Sequence, residues 1–358
     1  MKFSESEQKR QTIFDIIIIG AGPAGATFAR LASRKYKILL IDKKRNRGKC
    51  CGGLIAPDAQ KILAGFDIGL PKNIISDPQL FYVRSIDLNT KNEGKYQRHY
   101  MNIDRKKFDD YLLSLIGNRV KINTNCRYLS HNSGSGGIIV KTENNGKTEE
   151  YGCKLLVGAD GAFSRVRKNQ IGDFKSLNKY MALQGQYKKN SEINCYAALF
   201  DKSLTDFYSW LVPKDENLII GGAFKDSKRA LEKFNILETR IRESGYDFGK
   251  LEKLEACYLL RPRLKDIKLG NNNVALIGEA AGFISPSSAE GLSYAFRSAM
   301  KLNEALGPSI QGWKRRYKKG TLSIKANIFI KNIKSLFIYN SFLRNLIFKT
   351  GISTIKRG

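Results

Sequence analysis

The stretch IIIIGAGPAG at residues 16–25 joins a β-branched run directly to a glycine-rich loop. The run predicts a buried central strand of an α/β fold, and the residues after the loop predict a helix. Gly20 permits a tight turn, Gly22 lets the backbone approach a phosphate, and Gly25 allows close packing of the helix. Pro23 suits the first helical turn, where no N–H donor is required. The stretch therefore predicts a corner whose helix N-terminus binds a dinucleotide phosphate.

The residues after this loop complete the pattern. Ala24 begins a predicted helix over residues 24–35, and a second predicted strand over residues 37–41 leads to Asp42. An acid at this distance accepts hydrogen bonds from the ribose hydroxyls of adenosine, which argues against a 2′-phosphate there. That last inference is weakened by the basic run Lys43, Lys44 and Arg45. The alternative interpretation is a glycine turn in another kind of α/β protein.

Two more apolar runs end in loops of the same kind. Residues 155–161, LLVGADG, end in Asp160 and Gly161, and residues 274–282, VALIGEAAG, contain Gly278 at the corner. Both loops lie where a buried parallel strand is expected to end. FAD is the ligand that commonly needs two glycine loops more than two hundred residues apart. The three loops together therefore indicate FAD.

The order of these loops resembles the glutathione-reductase-type flavoproteins, which include aromatic hydroxylases, flavin halogenases and geranylgeranyl reductases. Three stretches resemble the geranylgeranyl reductase branch: KCCGGL at 49–54, YSWLVPK at 208–214, and GFISP at 282–286 with Glu290 and Gly291 beyond. The similarity runs from about residue 13 to residue 306. It implies a Rossmann-type FAD-binding domain interleaved with a mainly antiparallel β-sheet substrate domain.

The resemblance also implies which residues contact the cofactor. Arg105 matches an arginine near the flavin ribityl or phosphate region, and Glu279 replaces the usual aspartate of the second loop. Residues 287–306 predict a helix whose N-terminus faces the flavin pyrimidine and stabilises negative charge on reduced flavin. The cofactor contacts predicted in this way are Gly20, Gly22, Pro23, Ala24, Gly25, Asp42, Lys43, Cys51, Gly52, Gly53, Arg105, Asp160, Gly161, Gly278, Glu279, Pro286, Glu290, Gly291 and Leu292.

Three residues are candidates for the chemistry. Cys51 matches a family cysteine close to the flavin, and it would relay a proton or report the flavin redox state. Tyr208 and Trp210 would place rings beside the flavin in an apolar, water-poor cavity. Cys51 and Tyr208 are the two candidate proton donors. For Cys51 and Trp210 the alternative is packing alone.

The cysteines and the amino-terminal residues bear on metal binding and on the cellular compartment. Six cysteines lack paired metal-ligand spacing and only two histidines occur, so no metal site is predicted. The first dozen residues are polar and contain no secretory signal. We therefore expect a cytoplasmic enzyme with reduced thiols.

The last part of the chain is strongly basic, and it contributes to a net charge of +29. No acid follows Glu304, whereas apolar and basic residues alternate through residues 311–358 in a way that predicts amphipathic helices. These helices either dock on the protein as a lid or contact an anionic membrane peripherally. Nucleic acid is not favoured, because no recognised binding module accompanies the charge.

The predicted organisation interleaves two domains. Residues 1–75, 100–165 and 266–310 would form the FAD-binding domain, and residues 76–99 and 166–265 would form the substrate domain. A basic helical segment, 311–358, completes the chain. Alternating apolar residues over 80–88 and 138–142 predict strands within this arrangement.

The predicted function is reduction of carbon-carbon double bonds in a hydrophobic, isoprenoid-like or polycyclic substrate, with hydride from flavin N5. The sequence has no second dinucleotide fingerprint dedicated to NAD(P)H. NAD(P)H would therefore dock transiently, or an electron-transfer protein would donate. The alternatives are an FAD-dependent monooxygenase and, less favoured, a halogenase, because Tyr208 stands where halogenases usually have a second tryptophan. A nonenzymatic alternative is a basic flavin-binding membrane adaptor.

Overall fold

The computed structural model describes residues 13–43, 50–134, 136–172, 177–307 and 309–350. Lys44, Arg45 and residues 351–358 of the basic segment lie outside this part. The strands, in chain order, are β1 Ile13–Ile19, β2 Ile38–Ile41, β3 Leu54–Ile55, β4 Leu80–Asp87, β5 Glu93–Asn102, β6 Val120–Asn123, β7 Cys126–Gly134, β8 Gly137–Asn144, β9 Lys147–Gly158, β10 Lys179–Lys189, β11 Tyr196–Phe200, β12 Ser209–Lys214, β13 Asn217–Phe224, β14 Phe248–Leu260, β15 Gly270–Asn271 and β16 Val274–Leu276. The helices are α1 Pro23–Ala32, α2 Pro57–Gly65, α3 Arg105–Ser114, α4 Arg165–Ile171, α5 Ala230–Glu243, α6 Leu292–Leu306, α7 Trp313–Gly320, α8 Leu322–Ile338 and α9 Ser341–Thr350.

The first sheet carries all three predicted loops at the ends of its strands. Its order is β15-β16-β9-β1-β2-β6, and β1 pairs in parallel with both β2 and β9. Strand β16 also pairs in parallel with β9. Parallel strands point their carboxyl ends to one edge of the sheet, so the three loops meet there. Strands β7 and β8 extend β9 as an antiparallel meander.

Helices α1 and α6 pack apolar side chains against this sheet. Ala29, Ala299 and Leu302 are fully buried in its core. Helix α1 begins at Pro23 and ends at Ala32, three residues before the predicted end. The predicted helix over 287–306 was wrong at its start, because α6 begins only at Leu292. A turn precedes it, in which Ala289 has a left-handed backbone with φ of 50°.

The second sheet is mainly antiparallel and has the order β14-β10-β13-β12-β11-β4-β5-β3. Among the strands in the described ranges, β4 and β11 form its one parallel pair. Helix α5 packs its buried residues Phe234, Leu237 and Ile241 against one face. The two sheets together confirm the predicted α/β fold class. The predicted domain limits stay a prediction, and β5 runs unbroken across the proposed boundary at residue 100.

The basic segment folds as helices α7 to α9, as the amphipathic pattern predicted. Ile324 and Ile328 of α8 are fully buried in the core of the first sheet. The Ser335 hydroxyl of α8 donates to the carbonyl of Pro286 at 3.3 Å. Helix α9 is held by Arg344, which is paired with the buried carboxylate of Asp87. These helices therefore pack on the protein, and no helix in the described ranges is long and apolar enough to span a membrane.

Candidate functional site: a cavity between the two sheets

The first glycine loop has the backbone geometry that its sequence predicted. Gly20 has a left-handed backbone with φ of +106°. A Cβ atom built on Gly25 would lie 1.9 Å from the carbonyl oxygen of Gly20, so only glycine fits between strand and helix. A Cβ atom built on Gly22 would meet nothing within 4 Å. Gly22 lines the cavity, so this free space lies where a phosphate would approach the backbone.

Asp42 closes the same corner from the neighbouring strand. Its Oδ2 atom accepts a hydrogen bond from the backbone N–H of Ala21 at 2.7 Å. The carboxylate therefore helps to shape the loop, besides facing the cavity. Lys43 lies beside it in the cavity lining.

The third loop presents a buried carboxylate. Oδ2 of Asp160 accepts hydrogen bonds from the backbone N–H groups of Arg165 at 2.7 Å and Val166 at 3.3 Å. Oδ1 of Asp160 is buried and has no hydrogen-bond partner in the described chain. Burial raises the pKa of this carboxyl group. An unpaired acceptor at the cavity wall suits a ligand that brings hydroxyl donors, as a ribityl or ribose group does.

In the second glycine loop, the carboxylate of Glu279 forms a hydrogen bond within the protein. Oε1 of Glu279 accepts a hydrogen bond from the backbone N–H of Leu260 at 3.0 Å, at the end of β14. Glu279 also lines the cavity, and its contact with the cofactor stays a prediction. A Cβ atom on Gly278 would lie 2.9 Å from that of Ala24, so this glycine lets α1 approach the loop.

The N-terminus of α6 also opens onto the cavity. Gly291 precedes the helix and Leu292 begins it, and both line the cavity. The carboxylate of Glu290 accepts from the backbone N–H of Ser293 at 2.8 Å and from its hydroxyl at 2.6 Å. Glu290 thus caps α6. Pro286 lies away from the cavity, and its carbonyl accepts from Arg261 Nε at 3.1 Å.

One cavity of about 2170 Å³ joins all these features. Every predicted cofactor contact lines it except Gly25, Gly53, Gly278 and Pro286, which shape the surrounding backbone. Typical ligand pockets enclose about 300 to 1,000 Å³. The space therefore accommodates a dinucleotide together with a second molecule.

Cys51 lines this cavity. The guanidinium of Arg105 donates to Cys51 Sγ at 3.3 Å and to Asp109 Oδ1 at 2.9 Å. The Arg105 side chain is largely buried, with 9% exposed. The neighbouring Cys50 is buried, and a hydrogen bond with Cys257 together with burial raises the pKa of the Cys50 thiol. All six cysteines are free thiols.

Lys214 was not singled out from the sequence, although it lies in the YSWLVPK motif. Its ammonium donates to Asn102 Oδ1 at 2.7 Å and to the carbonyl of Ile103 at 2.6 Å. Burial lowers the pKa of Lys214 to about 8, against opposing attraction from Cys51, Asp215 and Asp104. The ammonium group thereby holds the turn that carries Gly53 in place. No local sequence motif predicts contacts between residues so far apart in the chain.

This depressed pKa predicts a pH-dependent stability. Between about pH 8 and pH 10.5 the unfolded chain keeps the Lys214 proton that the folded protein has lost, so stability rises with pH. We expect wild type to gain about 2 kcal/mol over this window relative to Lys214→Met, after allowance for partial exposure. Urea titrations at both pH values measure the difference. The Lys107→Met variant changes an exposed lysine, so its stability should change with pH as that of wild type does. If wild type and Lys214→Met differ in stability by the same amount at both pH values, the lowered pKa of Lys214 is contradicted.

Tyr208 and Trp210 lie together at the second sheet. Their ring centroids are 5.9 Å apart, and both residues are buried but line the cavity. Trp210 Nε1 donates to Gln184 Oε1 at 3.3 Å, and its ring lies over Gly221, where a Cβ would approach within 2.4 Å. The Tyr208 hydroxyl donates to the carbonyl of Ser288 at 2.7 Å. Burial raises the pKa of Tyr208 well above its usual value.

A cationic group that sequence reasoning missed completes the lining. Arg98, Lys334 and Arg344 come from β5, α8 and α9 and line the cavity. Burial and the neighbouring Arg98 lower the pKa of Lys334.

In the described ranges no group of histidine, cysteine and acidic side chains could hold a metal ion.

The family model for pyridine nucleotide-disulphide oxidoreductases matches residues 14–223. The chain belongs to this family. Its fold and glycine loops thus belong to a flavin-dependent oxidoreductase, which confirms the coarser part of the predicted function. In the described ranges, the cavity offers a dinucleotide the glycine loops, the open space at Gly22 and the unpaired Asp160 acceptor, so the residues fit FAD.

One sequence relative and two solved structures show how far the likeness extends. Protein CbrA of Escherichia coli strain K12 is 36% identical over 350 residues, covering 96% of this chain and 98% of its own length. A geranylgeranyl bacteriochlorophyll reductase-like protein from Thermoplasma acidophilum shares the fold with a TM-score of 0.82, at 17% identity, covering 95% and 92% of the two chains. PqsL of P. aeruginosa, solved with 2-aminobenzoylacetate, gives a TM-score of 0.74 at 15% identity, covering 96% of this chain and all of its own.

Proposed function

We propose that the chain is an FAD-dependent reductase of carbon-carbon double bonds in a hydrophobic substrate. The observation that carries this proposal is the single cavity that joins the glycine loops to an aromatic chamber. The chamber wall includes Tyr196, Tyr208 and Trp210, which are all buried residues. An apolar wall favours a substrate with the same character and excludes water from the reacting atoms.

Bound FAD would supply the hydride, and the chain supplies binding, orientation and charge. Gly22 and the N-terminus of α6 would hold the cofactor at two points. Arg105 positions Cys51 by a hydrogen bond to its sulfur. We assign proton delivery to Cys51, because the Tyr208 hydroxyl already donates to the main-chain carbonyl of Ser288. Arg98 suits a substrate that also carries an acidic group.

The electron donor is part of the same proposal. A second glycine fingerprint is absent from the sequence, so we propose that NAD(P)H docks transiently or that an electron-transfer protein delivers the electrons. Rapid mixing of the oxidised protein with NADPH under anaerobic conditions tests the first source. Bleaching of the flavin absorbance supports NADPH, and an unchanged spectrum shifts the proposal to a protein donor.

The reaction class is tested with chemically reduced protein and an unsaturated isoprenoid alcohol in detergent. Under anaerobic conditions the proposal predicts a product heavier by two hydrogen atoms. A product that gains an oxygen atom, formed only in air, would overturn reduction in favour of a monooxygenase. A product that gains a halogen from added bromide would establish halogenation. Flavin that stays reduced with every substrate tested would favour the nonenzymatic adaptor.

Replacement of Trp210 tests the chamber itself. Trp210→Ala removes an aromatic wall, so we expect turnover to fall at least about tenfold while flavin content is unchanged. Trp210→Phe keeps a ring over Gly221 and should retain most of the activity. Steady-state rates and the ratio of flavin to protein give the two readouts. Turnover of Trp210→Ala equal to wild type would reassign Trp210 to packing.

A further inference from the structure

Helix α8 exposes a continuous apolar stripe on the side that faces away from the protein. Leu336 is 70% exposed and Ile330 is 61% exposed. Phe342 of α9, at 74%, continues the apolar surface beyond the end of α8. We call the exposed apolar residues of these two helices the outer face; they are Leu322, Phe329, Ile330, Ile333, Leu336, Phe337, Phe342, Leu346 and Ile347.

The spacing of the stripe follows one side of a helix. Leu322, Phe329, Ile333 and Leu336 recur at intervals of seven, four and three residues, and the exposed Ala326 fills the first interval. Positions three and four apart share a helix face, so these side chains form one row. Ile324, Ile328 and Ser335 are buried on the opposite side, against the protein. Helix α8 is therefore apolar on both sides, although only one side has a partner within the described chain.

Basic residues border the stripe. At 100° per residue, Lys325 and Lys334 fall on the two flanks of the row, and no acid lies in α8. No acidic residue follows Glu304 anywhere in the sequence. A surface that is apolar at its centre and basic at its borders has the pattern of an interfacial helix, whose lysines reach lipid phosphates while its apolar side enters the acyl region.

We propose that the outer face docks on the surface of an anionic lipid bilayer. A second copy of the chain is the other candidate occupant, but it would place two basic surfaces against each other, whereas an anionic lipid neutralises them. Helix α8 lies in the plane of the surface in this arrangement, because no helix among the described residues is long and apolar enough to cross a membrane.

The same two helices also line the cavity. Ile338 and Tyr339, at the end of α8, belong to its wall together with Phe348 of α9. Docking therefore places this end of the cavity beside the acyl chains. An apolar substrate then passes from lipid to the chamber without crossing water, where its exposed surface would be costly. This consequence rests on the proposed function, but lipid binding itself does not.

The test is flotation of the full-length flavin-loaded protein with vesicles. We expect wild type to float with phosphatidylcholine vesicles that contain phosphatidylglycerol and to stay behind with phosphatidylcholine alone. Raised salt should weaken binding. The Phe329→Ser, Leu336→Ser double variant removes two apolar contacts on the side away from the core, so affinity should fall at least tenfold. Lys325→Gln should lower affinity about fivefold, since a lysine near an anionic surface contributes about 1 kcal/mol.

A matched control separates this face from general surface apolarity. Leu231 and Ile236 are 53% and 39% exposed on α5, so the Leu231→Ser, Ile236→Ser variant should bind vesicles as wild type does. Wild type that ignores anionic vesicles, or a double variant that binds undiminished, would overturn the proposal. A wild-type dimer that the double variant converts to monomer, without vesicle binding, would instead establish contact between copies. If the double variant keeps its full flavin content, either result concerns the outer face alone and leaves the proposed function unaffected.

Discussion

Replacement of Gly22 by valine is expected to lower FAD affinity at least about 100-fold while leaving the fold intact. A Cβ atom at Gly22 meets no protein atom within 4 Å, so the valine side chain projects into open cavity space rather than into the core. It would occupy the place where the pyrophosphate meets the backbone and the N-terminus of α1. Titration of flavin-free protein with FAD, followed by flavin fluorescence, measures the affinity.

The control for this experiment is Gly117→Val. Gly117 also has no neighbour within 4 Å of an added Cβ atom, but it lies outside the cavity. Its FAD affinity should equal that of wild type. The thermal midpoints of the three flavin-free proteins should agree within a few degrees. Gly22→Val protein that purifies with a full complement of flavin would contradict the assignment of this loop.

Replacement of Arg344 by methionine is expected to destabilise the protein by about 3 to 5 kcal/mol, because it leaves a buried carboxylate without its charge partner. Arg344 is 5% exposed and Asp87 is fully buried. The same guanidinium donates to the carbonyl of Ile338 at 2.8 Å and lies over the ring of Phe200. Methionine retains much of the packing volume, so the loss reports mainly the charge. Urea titration gives the free energy of unfolding.

Two further variants make this result specific. Arg127 and Glu143 form an ion pair that is 47% and 34% exposed, so Arg127→Met should cost less than about 1 kcal/mol. Adding Asp87→Asn to Arg344→Met should recover part of the stability, because the unpaired charge is removed. Equal effects of Arg344→Met and Arg127→Met would show that α9 is not anchored by this pair.

The sequence was most informative where function depends on the backbone. Glycine is required at position 20 because the backbone there has a positive φ, and at position 25 because an added Cβ atom would lie 1.9 Å from the carbonyl oxygen of Gly20. Uninterrupted apolar runs identified β1, β2 and the end of β9, since parallel strands are buried on both faces. The fold, and the part of the cavity where the glycine loops would bind phosphate, were therefore predictable.

Side-chain partners across the fold were not predictable from local patterns. Arg344 and Asp87 are 257 residues apart, and Lys214 meets Asn102 across 112 residues. Periodicity describes which face of an element is apolar, but it does not say which distant element covers it. For the same reason the basic segment could be predicted as helical, whereas its contribution to the cavity wall could not.

The start of α6 shows a different limit. The apolar spacing of Ala295, Ala299 and Leu302 predicted the helix correctly, but the residues before Leu292 form a turn. The Ala289 N–H donates to the Ser285 carbonyl at 3.0 Å within that turn, and Glu290 caps the helix behind it. Serine and acidic side chains compete with helix formation through such local hydrogen bonds. A capping glutamate directly before Gly291 was the available signal.

The central claim is that this chain holds one FAD in the cavity between its two sheets. The most direct measurement is the visible absorption spectrum of the purified full-length protein, followed by identification and quantification of the cofactor that heat releases. We predict the two bands of an oxidised flavin, with about one FAD per chain after reconstitution. A colourless protein that takes up no added FAD in either redox state would contradict the account.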